Sequence, residues 1–354
     1  MKSDNTIVFL VPGFPYDEED TTCIPALQLY IKNLHSANPG TKIIVISFQY
    51  PYNRKKYYWN NIRIYCAEGK GKGRIFRLIT WLKVILYFIK VNYIYNITGI
   101  HSFWLTECAF VGQLIAGIFR IPHIVSIMGQ DARSSNKYLR YLKFSKITVT
   151  SVSKFAADTF KKSINSKAEN IIPFGIENNC SIAPGNNRTI DIIGVGSLIP
   201  LKNHSLFVEV IDEVVKYFPS LKVLLIGKGV LKSSIEKYII EKGLSKNISL
   251  IGEVPRCEVL KYMMKSKILL HTSLFESQGL VFLEALYCGL YVVTFNTGYL
   301  PASKKIFLCR DKIEMVNDIK ELLLKKKDFN REIHITIEDT VKKFKSIYLK
   351  LGII

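Results

Sequence analysis

The sequence predicts an α/β protein made of two parallel-sheet, doubly wound domains. Three observations carry that prediction. Short apolar runs alternate with helical patterns through the first half of the chain, the alternation lapses in a segment rich in Asn, Pro and Gly, and it then restarts. Alternation of strand and helix implies parallel pairing, because each crossover brings the chain back to the same end of the sheet.

In chain order, Ile7–Val11 reads as a strand, Ile24–Leu34 as a helix and Lys42–Phe48 as a strand. A long basic helix follows over Ile75–Tyr95, then a strand at Tyr93–Ile97, a helix from about Thr106 to Phe119, and strands at His123–Met128 and Lys146–Ser151. Asn, Pro and Gly cluster between Pro173 and Arg188 and read as a linker. The second series runs strand Ile190–Gly194, helix Ser205–Tyr217, strand Lys222–Ile226, helix Leu231–Lys242, strand Ile248–Ile251 and helix Glu258–Met264. Strands at Lys267–Thr272 and Leu290–Phe295 then flank a loop and a helix. Asp339–Leu351 is helical, with Val341, Phe344, Ile347 and Tyr348 on one face. The expected divisions are 1–176, a linker at 177–189, 190–335, and a closing helix at 336–354.

With 354 residues, 48% of them hydrophobic, the chain can fill two cores of ordinary size, which excludes a disordered protein. Seven cysteines without a C-x-x-C pair indicate neither a disulfide framework nor a zinc site, and fit a reducing compartment. A polar start that runs straight into the first strand does not read as a signal peptide, so a cytoplasmic location is expected. The formal net charge of +20 asks for an anionic partner. No helix-turn-helix or RNA-recognition signature is present, so nucleic acid is not expected and an anionic membrane surface is preferred, with the protein peripheral at its inner face. Arg77, Lys83 and Lys90 interrupt the apolar window Ile75–Tyr95, which is therefore no spanning segment. It reads as an amphipathic helix, greasy on one face and cationic on the other, that lies on a bilayer or packs on the sheet.

The stretch from Phe275 to Cys288 carries the chemistry. Glu276 and Glu284 stand eight positions apart, the first in a loop and the second inside a helix that begins near Gly279. A helix start at Gly279, Leu280 and Val281 offers free N–H groups and the positive end of a dipole, which suits a phosphate. Glu284 sits among apolar residues, where an ionised group needs a partner. Carboxylates on either side of a phosphate site can accept hydrogen bonds from sugar hydroxyls, so the implied ligand is a nucleotide sugar.

These residues resemble the E-x7-E signature of the retaining GT-B glycosyltransferases of the family 4 type, the glycosyl transferases group 1, with Ser273, Glu276, Gly279, Glu284, Ala285 and Gly289 in register. The resemblance implies two facing Rossmann-like domains and a C-terminal helix that crosses back to the first. It also implies a nucleotide diphosphate sugar of UDP or GDP type as donor, a glycan or lipid-linked acceptor, no separate cofactor, no metal, and transfer with retention in surface polysaccharide or lipopolysaccharide assembly. Glu276 would contact the donor sugar and Glu284 the ribose. The alternatives are a catalytically degenerate GT-B protein acting as a membrane-bound assembly partner, and a GT-B epimerase.

Further positions follow from the same resemblance. The segment Gly194–Lys202 is similar to the Gly-Arg-Leu-x-x-x-Lys-Gly loop that clamps the donor diphosphate, with Lys202 as the cation and Ser197 in the place of the arginine. Ile199 stands where a dinucleotide fingerprint would need glycine. Gly13 follows the first strand, where backbone can approach a ligand. Gly129 and Asp131 resemble a His-Gly-x-Asp motif on the acceptor side, with Met128 in the histidine's place. His101 is the nearest alternative polar group and is expected to assist catalysis, while Lys228 is expected to line the nucleotide pocket. His204 and His271 have no partners at metal-ligand spacing and no Asp-x-Asp motif occurs, so metal-free chemistry is expected.

Overall fold

A computed structural model describes residues 5–71, 73–178, 188–325 and 328–354. It divides into two compact units, one of residues 1–175 with 335–354 and one of residues 176–334. Residues 179–187 of the expected linker lie outside the described residues.

The first unit begins with β1 (Asn5–Gly13), α1 (Pro25–Ala37), β2 (Thr41–Tyr50), β3 (Lys56–Trp59), β4 (Ile62–Cys66) and α2 (Arg74–Ile94). It continues with β5 (Asn96–Phe103), α3 (Glu107–Phe119), β6 (His123–Ile127), β7 (Thr148–Ser151), α4 (Lys154–Ile164) and β8 (Asn170–Ile171). The strand order is β3-β4-β2-β1-β5-β6-β7-β8, parallel throughout except for the β3–β4 pair. That pair is a hairpin closed by Asn60 and Asn61, both at positive φ, which is the backbone a two-residue turn of this hand requires. The sequence predicts a strand at Tyr93–Ile97. Tyr93 and Ile94 instead finish α2, and β5 runs on to Phe103.

The second unit holds β9 (Ile190–Val195), α5 (His204–Val215), β10 (Val223–Ile226), α6 (Lys232–Glu241), β11 (Ile248–Gly252) and α7 (Arg256–Met264). Then come β12 (Ser266–His271), α8 (Leu280–Tyr287), β13 (Tyr291–Phe295), β14 (Ile306–Cys309) and α9 (Lys312–Leu324). Its six strands are all parallel, in the order β11-β10-β9-β12-β13-β14. Central strands such as β12 are nearly continuous apolar runs because crossover helices cover parallel sheets on both faces. The strand order reverses between β9 and β12, and in an open α/β sheet the crevice beyond the carboxyl ends of two such strands is where ligands bind.

The last helix, α10 (Ile337–Lys350), belongs to the first unit. A capping box of Thr336 and Asp339 starts it. Ile337, Val341, Phe344, Ile347 and Tyr348 bury one face in the core that also holds Phe9, Tyr30 and Phe103. At about 1.5–3 kcal/mol for each large apolar side chain buried, the gross contribution is on the order of 10 kcal/mol, enough to make this distant segment part of the unit. The hydroxyls of Tyr30 and Tyr348 meet at 2.7 Å inside it.

Candidate active site

The loops that follow β9 and β12 leave the sheet on either side of the strand-order reversal, and side-chain bonds sew them together. Thr272 Oγ1 donates to the carbonyls of Lys202 and Asn203 at 3.0 Å each. Ser273 Oγ donates to the Leu201 carbonyl at 3.2 Å, and the Leu274 N–H reaches the same carbonyl at 2.9 Å. A third loop, after β13, braces the arrangement: the Glu276 N–H donates to Thr297 Oγ1 at 2.7 Å, and the Tyr299 N–H to the Gln278 carbonyl at 2.7 Å. Gly298 lies so close that a Cβ there would come within 2.7 Å of the Gln278 carbonyl oxygen.

Glu276 is the product of this bracing. Its carboxylate is 13% exposed, forms an ion pair with Lys202, and accepts a hydrogen bond from His271 Nε2 at 2.8 Å. Burial pushes the Glu276 carboxyl up, but the His271 bond and the Lys202 charge outweigh it and hold the pKa down at about 2. Burial lowers the pKa of His271, so its neutral ring donates from Nε2. A carboxylate kept ionised beside a cation and at the edge of solvent can accept from sugar hydroxyls without a protonation cost.

Beyond Glu276 the chain turns into α8 through Gly279 at φ 71°, where a Cβ would also strike the Phe282 ring at 2.5 Å. Glycine is thus fixed twice over, by backbone hand and by space. Leu280 and Val281 form the first turn and are half-buried. Glu284 lies one turn on, with its side chain 10% exposed, and accepts from Arg256 Nε at 2.7 Å. That partner answers the demand made by its apolar surroundings. Arg256 opens α7, which leaves the edge strand β11 and crosses the sheet to contact β9 and β12.

Not every expected residue comes to this place. Ser197 is exposed in the loop after β9, and its carbonyl meets His204 Nε2 at 3.1 Å. The Lys228 ammonium pairs with Glu253 at 3.1 Å in solvent, the weakly stabilising kind of surface contact. His101 must be corrected. It is fully buried inside β5, with Nδ1 at 2.7 Å from the Tyr348 hydroxyl and Nε2 at 2.8 Å from Ser126 Oγ, and its ring stacks on Phe103 at 4.2 Å. Both ring nitrogens are committed within the core, and burial holds its pKa well below the ordinary value, so it is a neutral packing residue and not a catalytic one.

Asp131 is corrected as well. It is 6% exposed and accepts from the N–H groups of Leu105 at 2.8 Å, Gly129 at 2.5 Å and Met128 at 3.3 Å. Its lone pairs hold the loop after β6 in shape, with the Gly129 N–H as one of the bonded amides. At Gly13 a Cβ would meet only ordinary contacts, 3.5 Å from Tyr50 and 3.7 Å from Cys23, so packing alone does not demand glycine there.

Sequence reasoning missed His271, Arg256 and Thr297. His271 was legible as a polar residue closing an apolar strand five positions before Glu276. Arg256 and Thr297 had no such signal, because only the sheet order brings their loops to the site. Among the described residues no group of three or more His, Cys, Asp or Glu side chains could hold a metal ion.

Residues 181–328 match the family described as glycosyl transferases group 1. An uncharacterized glycosyltransferase of Methanocaldococcus jannaschii is 26% identical over 285 residues, 78% of this chain and 77% of its own length. The chain has the GT-B fold. It superposes on Anabaena HepE, a structure solved in complex with UDP-glucose, with a TM-score of 0.70 at 15% identity, covering 98% of each chain. The poly(ribitol-phosphate) alpha-N-acetylglucosaminyltransferase of Staphylococcus aureus is 34% identical over 121 residues, which is 34% of this chain and 24% of that protein. Together these likenesses support a glycosyltransferase that uses a nucleotide sugar.

Proposed function

We propose that the protein moves a sugar from a nucleotide diphosphate sugar, of UDP or GDP type, to a glycan or lipid-linked acceptor with retention of anomeric configuration and without a metal ion. Its setting is surface polysaccharide synthesis, peripheral at the cytoplasmic face of an anionic membrane. The observation that carries the reading is Glu276, held ionised between Lys202 and His271 where the strand order reverses, with the first turn of α8 immediately after it.

In this reading the diphosphate lies against the Lys202 ammonium and the N–H groups of Leu280 and Val281. Glu276 accepts from the donor sugar and Glu284 from the ribose. Lys202 offsets the charge that builds on the departing phosphate, which is where electrostatic stabilisation matters most in such a transfer. Neither carboxylate needs to act as a base, because the departing phosphate oxygen can take the acceptor's proton. Arg256 orients Glu284 through its Nε hydrogen bond, and His271 orients Glu276 and helps to keep it ionised.

The test is a thermal-shift panel of UDP and GDP sugars followed by assay of donor turnover, since a ligand that binds only the folded state raises the unfolding midpoint. One nucleotide sugar should stabilise the protein and be consumed, slowly by water and faster with a glycan acceptor. Binding without turnover of any donor would replace this reading with that of a degenerate assembly partner.

A further inference from the structure

Helix α2 has two apolar faces, and only one of them is covered. On the inner face Thr80, Val84, Phe88 and Val91 recur at helical spacing and are buried. The three apolar ones pack in a core with Phe48, Ile100 and Val111, and Phe88 meets Phe119 of α3 at 5.2 Å. On the opposite face Ile75, Ile79, Leu82, Leu86, Ile89 and Tyr93 also follow one another by three or four residues, yet they are between 46% and 83% exposed. The neighbouring helix α3 adds Leu114 at 46% and Ile118 at 75%. The expected amphipathic helix, greasy on one face and cationic on the other, is therefore not what folds. The sheet takes one apolar face and solvent is left with another.

A run of large apolar side chains in water on a folded chain marks an interaction surface. Its charge says which kind. Over its 21 residues α2 contains Arg74, Arg77, Lys83 and Lys90 and no acidic residue. Lys56 of β3 stands close enough to Lys90 that the second ammonium lowers its pKa, so this rim is cationic and crowded. Spacing of four and three would also suit a seam between two copies of the helix. Such a seam would bring Lys83 and Lys90 of one copy against those of the other with no carboxylate on either helix to pair them, which opposes association. Anionic headgroups supply the missing counter-charge. No helix among the described residues is long and apolar enough to cross a membrane, so the contact lies along the surface.

We propose that the outward face of α2 docks on an anionic lipid bilayer, with Leu82, Leu86 and Ile89 below the headgroups and Lys83 and Lys90 among the phosphates. The proposal deepens the reading of a transferase that works at a membrane. It is tested without donor or acceptor, so its failure is separate from any failure of the transferase reading.

The experiment is co-sedimentation of the full chain with vesicles of phosphatidylcholine alone and of phosphatidylcholine with phosphatidylglycerol. Wild-type protein should partition onto the anionic vesicles, and Lys83→Gln with Lys90→Gln should weaken this roughly thirtyfold, near the usual worth of two basic residues at an anionic surface. The triple variant Leu82→Gln, Leu86→Gln, Ile89→Gln should lose at least about tenfold through lost apolar insertion, with only a small change in unfolding midpoint because about half of each side chain is already in water. A Leu86→Trp variant gives a second readout: its emission should shift to the blue with anionic vesicles and be quenched by brominated lipid. Equal binding by the triple variant, or unchanged Leu86→Trp emission, would overturn the proposal. So would a concentration-dependent dimer that the triple variant abolishes while vesicles bind nothing, since the face would then belong to a second copy.

Discussion

Replacing Glu276 by Gln should tighten the binding of free nucleoside diphosphate while transfer collapses. In the free protein the Lys202 ammonium is engaged by Glu276, so an incoming diphosphate must compete with a carboxylate that stays ionised down to a pH of about 2. The amide keeps the shape of the side chain and removes its charge. A phosphate charge roughly 7 Å from a carboxylate is repelled by about 2 kcal/mol at an effective dielectric near 20. Releasing that repulsion predicts a Kd for UDP or GDP lower by roughly ten- to thirtyfold, read by isothermal titration calorimetry at low salt. Transfer from the intact nucleotide sugar should fall by roughly a hundredfold or more, because a contact to the reacting sugar is lost. Weaker diphosphate binding in Glu276→Gln would refute the reasoning: the carboxylate would then help to build the nucleotide site rather than compete for its cation.

Glu284→Gln should instead weaken nucleoside diphosphate binding by about 1–3 kcal/mol, the cost of a charged hydrogen bond, and calorimetry on both variants separates the two carboxylates. Arg256→Met leaves the nearly buried Glu284 without its cation and should lower the unfolding free energy by about 1–3 kcal/mol in urea titrations, less than for a fully buried pair because Arg256 is part exposed. Acid should destabilise the protein through Glu276. Its folded pKa of about 2 lies below an unfolded value near 4.3, so its contribution is fully present above about pH 4.5 and is lost as the pH falls toward 2. That gap is worth about 3 kcal/mol, and the fall in unfolding midpoint between those values should be shallower in Glu276→Gln. Transfer should survive dialysis against a chelator, whereas activity restored only by added magnesium or manganese would contradict the role given to Lys202. An α-linked donor should give an α-linked product in early proton NMR spectra of the new linkage, and a β-linked product would remove the assignment of both glutamates.

The donor-side cluster was readable because its parts lie close together in sequence. Glu276, Gly279 and Glu284 belong to one strand–loop–helix unit, so the period of a helix and the hand of a glycine are enough to arrange them. Lys202 was within reach because the loop after a recognisable strand resembles the diphosphate-clamping loop of the family. Arg256 was not, since its approach to Glu284 depends on α7 crossing from the edge of the sheet over two intervening strands. The helix α9 escaped notice for a lesser reason. Its signals are ordinary, an Asp311 side chain capping the Glu314 N–H at 2.9 Å and buried Met315, Ile319 and Leu322, but between the predicted strand Leu290–Phe295 and the helix Asp339–Leu351 the short strand β14 was passed over with it.

Two histidines show what local pattern leaves open. His101 and His271 both sit on buried strands of parallel sheets, and burial lowers the pKa of each. His101 lies two residues short of the end of β5, where the closing helix α10 covers the sheet, so its ring can reach only Tyr348, Ser126 and aromatic neighbours. His271 is the final residue of β12, at the strand-order reversal, so its Nε2 emerges into the loop that carries Glu276. Which histidine meets the chemistry is decided by strand length and strand order together. The predicted strand ends at Ile97, six residues before β5 does, and that boundary puts an interior residue in a loop. In a parallel sheet the carboxyl end of a strand is where side chains pass from core to ligand. Placing that end correctly therefore matters more for finding the site than recognising the residue type.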